Sequence, residues 1–119
     1  MSTLTIYHNT RCKSSCRALE LLRSNGTEPE VVEYLNDPPD RATLERLLQA
    51  VGGDPMALLR TSDPKFVAAG LDPQKKLSAA EVVQTLLDHP EVMQRPIVVT
   101  GSKAVIARPP EKVLELMNA

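Results

Sequence analysis

The stretch Tyr7 to Leu19, YHNTRCKSSCRAL, carries both cysteines of the chain, four residues apart, with Arg11, Lys13 and Arg17 around them and no acidic residue from Met1 to Leu19. A thiolate is the working form of cysteine, and a thiol with the ordinary pKa of about 8.5 is mostly protonated at neutral pH. Something must lower that value for chemistry to occur. Cys12 falls where a strand gives way to a helix, so unsatisfied backbone N–H groups and the positive helix end point at its sulfur. Arg11, Lys13, Arg17 and a protonated His8 add positive potential from the same segment. Free cysteines are more often core residues than reactive ones. Cys12, however, lies in a polar, basic loop without apolar alternation and reads as a nucleophile.

Cys16 allows two readings. On a helix it flanks the stripe Ser15, Ala18, Leu19, Leu22 and shares a side with Cys12, which suits either burial or a role as redox partner. Side chains at i and i+4 of a helix have Cβ atoms about 5–6 Å apart, whereas a disulfide needs roughly 3.5–4.5 Å. A Cys12–Cys16 bond therefore requires the first turn to unwind and would be labile. His8 is read either as a hydrogen-bonded loop residue or as a group that tunes Cys12, and His89 as a helix C-terminal residue before Pro90. The two histidines and two cysteines do not have zinc-type spacing, so no metal is expected.

Three further cations stand next to structural joins: Arg60 closes MALLR, Arg95 precedes Pro96 and IVVT, and Arg108 precedes Pro109 and Pro110. Arginine presents a planar fork of donors that matches tetrahedral oxyanions. Singly, each arginine reads as a solvated or carboxylate-paired surface residue. Together with a thiolate they describe a site for an anionic substrate.

The elements that must position these residues can be read from periodicity and punctuation. TLTIY at Thr3–Tyr7 predicts a strand, the stripe from Ser15 to Leu22 a helix stopped by Asn25-Gly26, and EVVEYL at Glu30–Leu35 a second, parallel strand. Asp40 precedes RATLERLLQAV, Asp54-Pro55 and Asp63-Pro64 each offer an N-cap acceptor followed by a residue without an N–H, and SAAE at Ser78–Glu81 is a capping box ahead of VVQTLLDH. IVVT and AVIA joined by GSK predict a hairpin with a three-residue loop, and RPPEKVLELM a closing helix. The order is β-α-β, a helical insertion of four short helices over about residues 40–90, a β-hairpin and a helix. That order matches an α/β, thioredoxin-like mixed sheet in a single domain spanning residues 1–119.

Composition excludes several classes. A net charge of −1 and 3% aromatic residues supply neither a basic nucleic-acid stripe nor base-stacking platforms. The N-terminus lacks a charged start followed by an apolar run, and no stretch of about eighteen apolar residues occurs, so a soluble, cytoplasmic protein is expected, with no nucleic acid and no membrane as partner. Cytosolic thiols are kept reduced, which argues against a structural disulfide.

Taken over nearly the whole chain, these residues resemble the bacterial glutaredoxin- and glutathione-linked arsenate reductases of the thioredoxin superfamily. IYHNTRC resembles that family's strand-to-cysteine motif, LLR at Leu58–Arg60 its first anion-binding arginine, RPIVV at Arg95–Val99 its second, and ARPPEKVLE its third; SNGTEPEVVEYLNDPP is also similar. The resemblance implies that Cys12 attacks arsenate as a thiolate, with Arg60, Arg95 and Arg108 holding the oxyanion. It further implies His8 helping to keep Cys12 ionised, a cis bond before Pro96, glutathione as co-substrate, glutaredoxin as partner, no bound cofactor and a monomer. Thr10 stands where the family commonly has proline, and Cys16 where an arginine is often found. A general thiol–disulfide redox protein using Cys12 and Cys16, or a redox regulator that binds RNA polymerase, are the alternatives. The regulators usually carry C-x-x-C near the N-terminus, whereas this spacing is C-x-x-x-C.

Overall fold

The computed structural model describes residues 4–101 and 103–117. Four strands form one sheet in the order β2-β1-β3-β4, with β1 at Leu4–His8, β2 at Glu30–Glu33, β3 at Ile97–Thr100 and β4 at Lys103–Ile106. β1 runs parallel to β2 and antiparallel to β3, and β3 is antiparallel to β4. This is the mixed α/β, thioredoxin-like sheet that the element order predicts.

Alternation along the two central strands divides the interior. Ile6 and Val98 face one side, where they meet Ala18 and Leu22 of helix α1 (Lys13–Ser24) and Val113 and Leu116 of helix α5 (Val113–Met117). Their neighbours Tyr7 and Ile97 face the other side and join the insertion. There, helix α2 (Arg41–Val51) contributes Leu44 and Leu47, helix α3 (Pro64–Ala68) Phe66, and helix α4 (Ala79–Asp88) Val82, Val83 and Leu86. Because β1 and β3 present apolar residues alternately to both faces, a helical layer is needed on each.

The caps form as the sequence predicts. Asp40, Asp54 and Asp63 accept from the backbone N–H groups of Thr43, Met56 and Lys65, at 2.9, 2.9 and 2.8 Å. Ser78 and Glu81 complete their capping box in both directions. Asn25 closes α1 and is followed by Gly26 at φ +83°, a conformation that favours glycine.

Five boundaries differ from the expectation. β2 stops at Glu33 because the Glu33 carbonyl accepts from Asn36 and Asp37, each at 2.9 Å, turning the chain at Tyr34. MALLR is not an α-helix: a 3-10 turn at Pro55–Leu58 releases Leu59 and Arg60 into an antiparallel bridge with Met93. The bonds Arg60 N–H to Val92 O and Gln94 N–H to Leu58 O, both 2.8 Å, hold that bridge in place of further helical bonds. The hairpin pairs Thr100 with Lys103, which leaves a two-residue connection instead of three; Ser102 of that connection lies outside the described residues. The closing helix begins as a 3-10 turn at Pro110–Lys112 before α5. The first strand runs to His8, and Thr3, where it was expected to start, lies outside the described residues. No helix among the described residues is long and apolar enough to cross a membrane.

Phe66 is fully buried and anchors the short α3 against the rest of the insertion. Phe66→Ala removes an aromatic side chain from a close-packed site and should lower the unfolding free energy by about 3–5 kcal/mol in urea titrations, with little change in m-value.

Candidate active site

Sheet register brings the singled-out residues to one end of the molecule. Tyr7 pairs with Ile97 and Ile97 with Ile106, so the segments beyond β1, before β3 and after β4 all emerge at the carboxyl end of β1. These segments carry Cys12, Arg95 and Arg108. The Leu59–Met93 bridge adds Arg60 from the insertion.

Cys12 is the N-cap of α1, extended at φ −96° and ψ 120°, and half-buried. Its N–H donates to Asn9 O at 3.0 Å and its carbonyl accepts from Cys16 N–H at 3.0 Å, so the backbone on both sides of the thiol is fixed. The sulfur makes no side-chain cap hydrogen bond of regular geometry. Burial by itself would push the Cys12 thiol up. The Ser15 N–H, the Arg95 guanidinium and the Ser14 N–H together outweigh that burial, and the thiol sits below its ordinary value.

The positive field therefore differs in origin from the one read in the sequence. Arg11, Lys13 and Arg17 all point to solvent, and Arg17 pairs with Glu20 at 3.0 Å. The helix terminus contributes as expected, but the decisive cation is Arg95, more than eighty residues away in the chain.

His8 also acts differently. It is buried, and its Nδ1 lies 2.5 Å from Ser15 Oγ. Burial, offset in part by Glu33 and reinforced by Arg23, lowers its pKa below the ordinary 6.5, which leaves a neutral imidazole at pH 7. Ser15 Oγ also accepts from Asn9 N–H at 3.0 Å, so one hydroxyl ties the His8 ring to the Asn9 backbone. His8 thus bears on Cys12 through geometry: it fixes Ser15, whose N–H faces the thiolate. No charge from His8 enters that field.

The arginines crowd. Arg108 Nη1 donates to Arg95 O at 3.0 Å. Arg60 Nη1 lies 3.6 Å from Asp63 Oδ2, with both side chains largely buried. Burial and the nearby charges of Arg95 and Arg108 lower the Arg60 pKa against the opposing pull of Asp63 and Cys12. The Arg95–Pro96 and Arg108–Pro109 peptide bonds are both cis, the first as the resemblance implied. Among the described residues, Arg60 Nη1, Arg95 Nε, Gln94 Oε1 and the Tyr34 hydroxyl are buried without a hydrogen bond of regular geometry. Buried donors normally have acceptors. Like charges gathered with unpartnered donors favour an anionic ligand rich in acceptor oxygens. A cleft of about 410 Å³ runs past the Cys12 loop, lined by Asn9, Thr10, Arg11, Arg95 and Lys65 together with the carboxylate of Glu33.

Residues 7–116 match the model of the ArsC family. The chain belongs to that family. It is 45% identical over 114 residues to the uncharacterized protein YfgD of Escherichia coli (strain K12), covering 95% of each chain. It is 39% identical over 117 residues to the arsenate reductase of Escherichia coli (strain K12), covering 98% of this chain and 82% of that protein. The solved arsenate reductase from Vibrio cholerae superposes with a TM-score of 0.86 at 34% identity, over 96% of this chain and 97% of that one.

Cys16 is exposed, and its Sγ–H donates to Thr10 O at 3.4 Å. Three site residues escaped the reading of the sequence: Ser15, Asn9 and Tyr34. Ser15 carried a signal, because a serine within an apolar helical stripe must find a buried partner. Tyr34 carried a weaker one, since it follows the carboxyl end of a parallel strand, where ligands gather in α/β sheets.

Alkylation of Cys12 by iodoacetamide across pH, measured in a Cys16→Ser variant, should show a midpoint below the ordinary thiol value of about 8.5. Arg95→Ala should raise that midpoint, and Arg17→Ala should leave it in place. The native pKa is lowered relative to the unfolded chain. Ionised Cys12 therefore stabilises the reduced native state above the unfolded-chain pKa, and this contribution fades as pH falls through the native value. Cys12→Ser should remove that pH dependence from the stability curve.

Proposed function

We propose that this protein reduces arsenate to arsenite, with Cys12 as nucleophile, Arg60, Arg95 and Arg108 as oxyanion ligands, and glutathione and glutaredoxin as electron donors. The observation that carries the reading is the convergence of a lowered-pKa thiol with buried guanidinium donors that make no hydrogen bond among the described residues, at one end of the sheet. The arsenate reductases among its relatives, similar over nearly the whole chain, support the choice of oxyanion.

The chemistry follows from the residues. The Cys12 thiolate attacks arsenic(V), forming an S–As bond, and one arsenate oxygen departs as water after protonation from solvent. The arginines stabilise charge that builds on the remaining oxygens. The thiol of glutathione reaches the intermediate through the open cleft; the two sulfurs then supply the two electrons that reduce arsenic(V) to arsenic(III). Arsenite leaves, and the resulting mixed disulfide between Cys12 and glutathione is resolved by glutaredoxin. Ser15, held by His8, keeps its N–H directed at Cys12 throughout.

The exposed thiol of Cys16 favours one second reading, a dithiol redox protein in which Cys16 resolves Cys12. The two readings separate in one assay: arsenite production by the purified protein with glutathione and glutaredoxin. Cys12→Ser should abolish turnover, and Arg60→Ala or Arg95→Ala should lower kcat/KM for arsenate about 10²-fold or more. Cys16→Ser should retain turnover on the arsenate reductase reading. Loss of arsenite production on Cys16→Ser, or a wild type that reduces disulfides but not arsenate, would support the dithiol reading instead.

A further inference from the structure

Tyr34 is a buried polar group of the site that the proposed chemistry leaves unused. It stands directly after β2, its ring is fully buried, and its hydroxyl makes no hydrogen bond of regular geometry among the described residues, although Asn9 and Arg95 approach it as donors. A phenylalanine would fill the same space without stranding a hydroxyl, so packing does not account for the oxygen.

Register accounts for where the side chain lies. β1 and β2 are parallel with His8 opposite Glu33, so the next residues, Asn9 and Tyr34, leave the sheet side by side. The ring joins the insertion-side core, sharing it with Leu58 and Leu59 beneath Arg60 and with Met93 before Arg95. The hydroxyl is thereby brought among Arg95, Asn9 and Cys12. Burial above all, with the Cys12 charge acting in the same direction, raises the phenol above its ordinary value against the pull of Arg95 and Asn9. It is a proton-bearing donor at every pH of interest.

The groups nearby restrict its partner. Arg60 Nη1 and Arg95 Nε are also buried without a hydrogen bond among the described residues, Arg60 keeping only its 3.6 Å ion pair with Asp63, and guanidinium nitrogens donate only. Three donors from three elements, none with a close acceptor among the described residues, lie near the thiol. A tetrahedral oxyanion offers acceptor lone pairs in every direction and can satisfy them together.

The geometry points to Tyr34 as a substrate-contacting residue, donating its O–H to an oxygen of the oxyanion held by Arg60, Arg95 and Arg108. This rests on the oxyanion reading of the site. It adds a neutral, fixed donor from β2 to the arginines supplied by the insertion and the hairpin.

The test is Tyr34→Phe, with arsenate binding measured calorimetrically in the absence of any thiol and the melting temperature recorded with and without arsenate. The ligand-free variant should melt at or above the wild-type temperature, and arsenate should bind about ten-fold or more weakly, with a correspondingly smaller arsenate-induced shift in melting. Wild-type affinity in Tyr34→Phe, while Arg60→Ala binds weakly, would overturn the role of Tyr34 and leave the oxyanion site standing. A wild type that binds neither arsenate nor inorganic phosphate would overturn both. A second measurement does not depend on the variant folding. The chain has two tyrosines and no tryptophan, so in Tyr7→Phe the near-ultraviolet tyrosine signal, at longer wavelength than that of phenylalanine, reports Tyr34 alone. That signal should change on arsenate addition along the binding isotherm, and a silent signal at saturation would overturn the proposal.

Discussion

The antiparallel register of β3 on β1 is the constraint on which the site depends. Tyr7 opposite Ile97 puts the residues just before β3 at the end of β1 where the chain turns into α1. Arg95 meets Cys12 only because of that pairing. A one-residue slip would exchange the two faces of β3, sending Ile97 towards α1 and Val98 towards the insertion. The core on both sides of the sheet therefore enforces the register, and the register enforces the pairing of thiol and cation.

Each remaining component enters by its own backbone pairing. β4 on β3 returns Arg108 to Arg95, and the Leu59–Met93 bridge lays Arg60 next to the segment that leads to Arg95. β2 on β1 delivers Tyr34 beside Asn9. Gathering cations in a half-buried space is unfavourable by itself: burial first, and then the charges of Arg95 and Arg108, lower the Arg60 pKa. Ladder hydrogen bonds and apolar packing on both faces hold the arrangement together, and the thiolate and Asp63 offset part of the repulsion.

Around Cys12, polar contacts divide into those that set charge and those that set position. Arg95 and the N–H groups at the start of α1 favour the thiolate directly. His8, neutral and buried, holds Ser15 Oγ, while Asn9 N–H donates to the same oxygen. That small network locks the strand-to-helix turn at a position where Thr10 and Arg11 are exposed and Cys12 is partly so.

Much of this was legible in the sequence because it is local. Asp-Pro pairs, the SAAE capping box, the Asn-Gly stop and the alternation of IVVT report backbone preferences that act within a few residues. The element order, and with it the fold class, follows from them. The nucleophile was legible as well, since a cysteine at a strand-to-helix turn carries its helix terminus with it. Which cation faces that thiol was not: nearby Arg11, Lys13 and Arg17 turn to solvent, while Arg95 arrives through strand pairing. The same holds for MALLR, whose composition suits a helix but whose last residues pair with Met93, and for Tyr34, read as the interior of a strand but placed at a turn facing the site. The sequence by itself determined the elements, their caps and the reactive thiol, because short-range sterics and hydrogen bonds decide those. Only the tertiary structure decided which distant side chains share the thiol's surroundings, because register and burial are properties of the assembled sheet.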